Sequence, residues 1–321
     1  MRNTGCRILA DGIQVSNDTW ETGINNNDVI IGPPGAGKTR GYVLPNILQC
    51  NESMIIADTK GALRQQVGGV LERSGYKVIS LNLMDCRAST VGYNPLRFIG
   101  FDKEREHHSE QDILRIAACL VPQEITDEPF WDRAARMLLK TLIGYLLERQ
   151  PEEEHCLDNI ILLLEEIGGL TNKLFDEFAL IAPESFPACR WKLYKSMTQA
   201  DRTQACIQGI LAEKLSTLTF DGVSELYSRP NQIDFAALGR EKTALFLTVS
   251  GTDRSMDPLA ALLYCQVLQE LCAEADSMED HRLAVPVRLY LDDFTCAVTI
   301  PDFDKIVSVL RSREISVSIV P

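Results

Sequence analysis

Over the first hundred residues, short apolar runs alternate with a helical stretch. Cys6–Leu9 and Ile13–Ser16, parted by Ala10-Asp11-Gly12, predict a small hairpin. Asp28–Ile31 is an apolar run that stops at a glycine-rich loop, and Ser53–Ala57 and Tyr76–Leu81 are two further runs. Between the last two, Gly61–Arg73 has helical composition and period. Continuous apolar runs joined through helices predict the buried strands of a parallel sheet.

From about Glu104 the pattern changes to successive helices: Glu110–Leu120, Phe130–Glu148, Asp158–Ile167, Phe186–Thr198 and Thr203–Leu218. In the second of these, Arg136, Lys140 and Tyr145 alternate with Met137-Leu138-Leu139 and Leu142-Ile143, an amphipathic arrangement. The strand–helix rhythm then returns. Thr243–Val249, Val287–Leu291 and Ile315–Val320 predict strands, and Asp257–Asp276 and Asp302–Arg313 predict helices. Pro258 suits the first turn of its helix, where no backbone N–H is needed. The economical topology is an α/β sheet domain, residues 1–103 and 236–321, interrupted by an all-helical domain, 104–235. No internal repeat or low-complexity tract is present.

Composition is that of a globular protein: 321 residues, 45% hydrophobic and 24% charged. Apolar stretches such as Ile160–Leu164 are too short to cross a bilayer, and no signal peptide opens the sequence. Ten cysteines lie between Cys6 and Cys296 without a C-x-x-C pair or metal-ligand spacing, which predicts reduced thiols in a cytosolic protein. The net charge of −13 is uneven: +2 over residues 1–101, −10 over 102–235 and −5 over 236–321. Phosphate contacts need Lys and Arg, so any DNA contact must be local or made by assembled subunits.

The chemistry is concentrated in two segments. Gly32-Pro33-Pro34-Gly35-Ala36-Gly37-Lys38-Thr39 matches G-x-x-x-x-G-K-[ST] after an apolar strand and before a helical stretch. Gly35 and Gly37 let backbone N–H groups turn inward around phosphates, at the positive end of the following helix. Lys38 would reach the β- and γ-phosphates, and the Thr39 hydroxyl would bind Mg²⁺. With Arg40, residues 32–40 form the candidate ATP-binding set. The second segment, Arg288-Leu289-Tyr290-Leu291-Asp292-Asp293-Phe294, carries apolar residues into two carboxylates. Asp292 would hold Mg²⁺ through water, and Asp293 would orient or deprotonate the attacking water. Asp58, ending Ile55-Ile56-Ala57, is a rival of similar form that lacks the doubled acid.

Lys38 and Asp292 stand 254 residues apart, with a helical domain between them. This order resembles the TraG/TraD-like coupling ATPases of conjugative type IV secretion. The residues that carry the resemblance are Thr39-Arg40-Gly41-Tyr42-Val43-Leu44-Pro45-Asn46, Asp58-Thr59-Lys60-Gly61 and Phe130-Trp131-Asp132-Arg133-Ala134-Ala135. Leu291-Asp292-Asp293-Phe294, Ile300-Pro301-Asp302-Phe303 and Leu310-Arg311-Ser312-Arg313 complete the series. The resemblance implies a RecA-like P-loop motor that assembles as a hexameric ring and uses ATP and Mg²⁺. It implies delivery of DNA and its bound relaxase to secretion-channel proteins, from the cytoplasmic face of the cell membrane. An arginine after the acidic strand would reach the next subunit's nucleotide; Arg311 fits that role, with Arg313 in reserve.

Three departures from the family pattern qualify those expectations. Asp293 stands where the family usually has Glu, so a shorter acid would hold the water and turnover would be slow. Only 27 residues precede the first core strand, where family members usually carry transmembrane helices. The sequence stops at Pro321, where the family continues to a phosphate-sensing glutamine. The first and third departures leave open a nucleotide-binding module with little turnover that recruits protein substrates. Another RecA-like DNA motor is a further alternative, against which the helical insertion and Phe130-Trp131 speak.

Overall fold

The computed structural model describes residues 5–123, 129–166, 172–293, 298 and 300–321. Phe294, Cys296 and Ile167 of the sequence reading lie outside the described residues. The chain divides into two compact units, Met1–Gly92 with Asn231–Pro321, and Tyr93–Pro230. Residues 93–103, read from the sequence with the sheet, therefore group with the helices.

The strands in chain order are β1 (Cys6–Ala10), β2 (Ile13–Ser16), β3 (Asp28–Val29), β4 (Ser53–Ala57), β5 (Lys77–Asn82), β6 (Phe101–Asp102), β7 (His107–His108), β8 (Thr243–Thr248), β9 (Val287–Asp292) and β10 (Ile315–Val320). Six of them form one parallel sheet in the order β3-β10-β9-β4-β8-β5. Every residue of β4, β8 and β9 is buried. That explains why β4 and β8 are apolar along nearly their whole length, since a strand covered on both faces has no solvent side to mark with polar residues; β9 is apolar apart from the buried Arg288 and its terminal Asp292. At the edge, β3 pairs over only two residues, shorter than the apolar run Asp28–Ile31, and Ile31 is 85% exposed.

One face of the sheet is covered by the helix Ala62–Arg73 and by the segment after the glycine loop. Leu63, Val67 and Leu71 meet Val43, Ile47, Met54, Ile56 and Phe246 in a single buried cluster. Burying each such side chain contributes about 1.5–3 kcal/mol. The hairpin β1–β2 is fastened to the same segment by Asn46, whose side chain accepts from Ile8 N and donates to Ile8 O, both at 2.8 Å.

In the second unit the helix Phe130–Arg149 is central, burying Ala134, Ala135, Leu138, Leu142 and Ile143. It lies close to the helix Phe186–Met197. A Cβ on Gly144 would stand 3.0 Å from the Phe186 ring and 3.2 Å from Pro187, so any larger residue there would have to push the two helices' side chains apart. Tyr145, Phe175, Phe178 and Trp191 stack nearby, and the Trp191 indole N–H donates to Asp176 at 2.7 Å. Helices Asn172–Ile181 and Asp221–Ser228, and the short pair β6–β7, were not evident from the sequence pattern.

Candidate nucleotide-binding site

The sheet's parallel order brings the carboxyl ends of β3, β4 and β9 to one edge, the place where ligands meet open α/β sheets. The loop Gly32–Thr39 leaves β3 after a last ladder bond, Ile30 N to Ile319 O at 2.9 Å. Ala36 N donates to Pro33 O at 3.1 Å, and Gly35 and Gly37 take φ of +79° and +82°. A Cβ at either glycine would meet nothing within 4 Å. Glycine is needed at both for the left-handed backbone rather than for room. Lys38 Nζ donates to Gly32 O at 2.7 Å, reaching back to the first carbonyl of its own loop. A π-helical turn, Thr39–Val43, continues into the α-helix Leu44–Ile47 and carries Thr39 at its start.

Thr39 Oγ1 donates to Asp292 Oδ2 at 2.7 Å across 253 residues of sequence. The strand β10 lies between the glycine-loop strand β3 and the acidic strand β9, so the contact spans it. Burial pushes the Asp292 carboxyl above its ordinary range; the Thr39 bond pulls it back, and the neighbouring Asp293 charge raises it further. Its second oxygen, Oδ1, is buried without a hydrogen-bond partner among the described residues. A hard cation with oxygen ligands suits such a group: one carboxylate, one hydroxyl and an unused lone-pair set. No cluster of three or more metal-ligating side chains occurs among the described residues.

Asp293 takes φ of +54° at the end of β9, and Thr59 Oγ1 donates to its Oδ2 at 3.3 Å. Thr59 entered the sequence reading only within Asp58-Thr59-Lys60-Gly61, and no role was expected of its hydroxyl. The rival Asp58 is 2% exposed and otherwise engaged. Its two oxygens accept from Ala62 N at 2.9 Å and Arg64 N at 3.0 Å, capping the helix Ala62–Arg73. Thr39, Arg40, Asp58, Thr59, Asp292 and Asp293 line one open pocket at this edge.

Arg311 is not brought to that pocket. It precedes β10, whose Ile315 pairs with Val287 and whose Val320 pairs with Asp292. The strand's own length, about 16 Å, therefore separates Arg311 from Asp292. Its Nη2 donates to Thr19 O at 3.1 Å. Arg313 makes a two-pronged ion pair with Asp276, both bonds at 2.9 Å. The sequence reading also passed over Arg288, wholly buried in β9, whose Nε donates to Glu52 Oε1 at 2.5 Å. A charged residue inside Val287–Leu291 was its only signal.

A model of the family described as type IV secretory system conjugative DNA transfer matches residues 2–320. The chain belongs to that family. Protein VirD4 of Rhizobium radiobacter is 26% identical over 255 residues, covering 76% of this chain and 35% of its own length. Protein VirD4 of Agrobacterium fabrum is 25% identical over 279 residues, covering 84% and 39%. The chain thus spans little more than a third of the curated relatives it matches. In fold it resembles the plasmid coupling protein TrwB, solved with the non-hydrolysable ATP analogue ADPNP. The TM-score is 0.63 at 16% identity, over 99% of this chain and 68% of that one. At that identity the likeness speaks for the fold: a parallel six-stranded sheet with a helical insertion. No described helix of this family member is long and apolar enough to cross a membrane.

Proposed function

We propose that this chain is the nucleotide-binding part of a conjugative coupling ATPase, which uses ATP to pass DNA and its relaxase into a type IV secretion channel. The observation that carries the reading is the Thr39–Asp292 hydrogen bond at 2.7 Å. Two motifs that have no reason to meet in an unrelated fold stand together at one sheet edge, in a member of a DNA-transfer family.

In this reading the backbone N–H groups of residues 32–39 and the Lys38 ammonium hold the phosphates. Binding draws Lys38 Nζ from Gly32 O onto them, exchanging a neutral acceptor for an anionic one. Thr39 and Asp292 hold Mg²⁺, which when bound neutralises charge on the phosphate oxygens. Asp293 orients the attacking water. Arg311, displaced from its own site by the length of β10, serves a neighbouring subunit in a ring. The acidic helical unit faces protein partners, since its charge repels a phosphate backbone.

The testing experiment is ATP hydrolysis by this chain and by a longer one, each with and without single-stranded DNA. Stimulation by DNA in the longer chain, abolished by Lys38→Ala, is the expected result. Nucleotide binding without turnover under every condition would favour the module that recruits protein substrates. Absence of both binding and turnover would remove the motor reading.

A further inference from the structure

The glycine loop is closed at its base by two residues that bracket it. Asp28 opens β3, four residues before Gly32, and Tyr42 follows Thr39 by three. Tyr42 Oη donates to Asp28 Oδ2 at 2.7 Å. Tyr42 is 3% exposed, and its hydroxyl also lies 2.8 Å from Ser318 Oγ on β10. Burial, with the adjoining Asp28 charge, keeps the Tyr42 hydroxyl protonated far above neutral pH. The same carboxylate pairs with Arg7 Nε at 3.0 Å and lies 3.5 Å from Arg288 Nη1. The acid is thus fixed from the sheet side, and Tyr42 joins it to the segment that leads directly out of the loop.

We propose that the Asp28–Tyr42 hydrogen bond is a clasp that sets the nucleotide-ready shape of the glycine loop, with Tyr42 as a positioning residue. The physical reason is entropic. Residues 32–37 include three glycines, and the bond that ties the loop's two ends, Lys38 Nζ to Gly32 O, is the one that phosphate binding would release, so the spacing of the ends in the nucleotide-ready shape depends on bonds at the base. A bond across the base shortens the free segment, and apparent affinity scales with the fraction of molecules in the competent shape. Tyr42→Phe deletes the clasp together with the hydroxyl's contact to Ser318 Oγ, while the ring stays in place. Asp28 keeps Arg7 and Arg288, so no buried charge is stranded.

The inference rests on the nucleotide-site reading above, and its test has one arm that does not. In the nucleotide-free chain, amide hydrogen exchange is measured at residues 35–38, with Leu289–Leu291 as the reference for global opening. Tyr42→Phe should speed exchange in the loop about tenfold while the reference stays put, and should weaken MgATP binding about tenfold. Tyr76→Phe is the matched control. It removes a buried tyrosine hydroxyl from the same core, one that donates to Glu52 O at 2.8 Å, far from the loop in sequence. It should change neither readout beyond about twofold. If Tyr42→Phe moves loop and reference together, Asp28→Asn is compared on the loop-to-reference ratio instead. A ratio unchanged in both variants overturns the clasp. So does nucleotide affinity equal to that of the unaltered chain. If the unaltered chain binds no nucleotide, the site reading fails, and the exchange ratio alone decides: a raised ratio upholds the clasp and an unchanged one sinks it.

Discussion

Thr39→Val keeps the shape of the side chain and replaces its hydroxyl with a methyl. In the metal-free protein the change removes the only hydrogen bond from Thr39 to Asp292, at 2.7 Å, and leaves both carboxylate oxygens short of donors. A hydrogen bond to a charged group contributes about 1.5–3 kcal/mol, and a neutral one about 0.5–1.5 kcal/mol. The loss at pH 7 should therefore be about 2 kcal/mol, and Asp292→Asn in the same protein should reduce it to about 1 kcal/mol. The pairwise coupling is then about 1 kcal/mol, outside the roughly 0.3–0.5 kcal/mol expected of independent sites. The pH dependence has a definite sign. The folded carboxyl is raised above its unfolded value, so Asp292 favours folding at low pH and loses that contribution as pH rises through the window above 3.8. Thr39 acts against that rise, so Thr39→Val should cost more at pH 7 than near pH 4–5. Urea titrations of the four proteins of the cycle, without metal and at both pH values, measure all of this. Additive losses, or a Thr39→Val cost that is flat with pH, would refute the argument that these groups form one metal-ready pair.

Lys38→Ala should weaken ATP binding by about 10- to 150-fold, the worth of one or more charge-assisted contacts, and calorimetry finding equal affinities would count against the loop. Asp58→Ala should destabilise the fold by about 1–2 kcal/mol in urea titration, because it uncaps the helix Ala62–Arg73, and a neutral result would reopen its rivalry with Asp292. The chain as a monomer should bind ATP and hydrolyse it slowly; forced oligomerisation should raise the rate more than Asp293→Glu does in the monomer. An arginine supplied in trans is worth about 10³–10⁵ in rate, so Arg311→Ala in the forced oligomer should erase most of the gain. Brisk hydrolysis by an Asp293→Glu monomer would show that no neighbour is needed.

What the sequence could reveal depended on whether a feature is local. The strands β4, β8 and β9 were legible because burial on both faces writes itself into each strand as a mainly apolar run. Thr39 and Asp292 were legible as a pair because each ends a motif whose chemistry names its counterpart. Arg288 was not: nothing near it in sequence announces Glu52, 236 residues away, so a charge in a buried strand appeared only as an interruption. The edge strand β3 was overread for the same reason, since an apolar run records burial and not the extent of a partner's ladder.

The two arginines of Arg311-Ser312-Arg313 illustrate the limit most sharply. Sequence ranks them only by position, whereas the fold separates them by what they already hold. Arg313 donates from Nε and Nη2 to Asp276 and from Nη1 to Val309 O, and the pairing holds the Asp276 carboxyl below its ordinary range. Drawing it away would strand a partner and break a two-pronged pair. Arg311 is exposed and makes a single bond to the main-chain oxygen of Thr19 among the described residues. A backbone carbonyl can be left to water at little cost, while a phosphate offers a full charge in its place. Arg311 is therefore the arginine that can change partners at the lower cost, and its place before the amino end of β10 keeps it from the phosphate loop of its own chain.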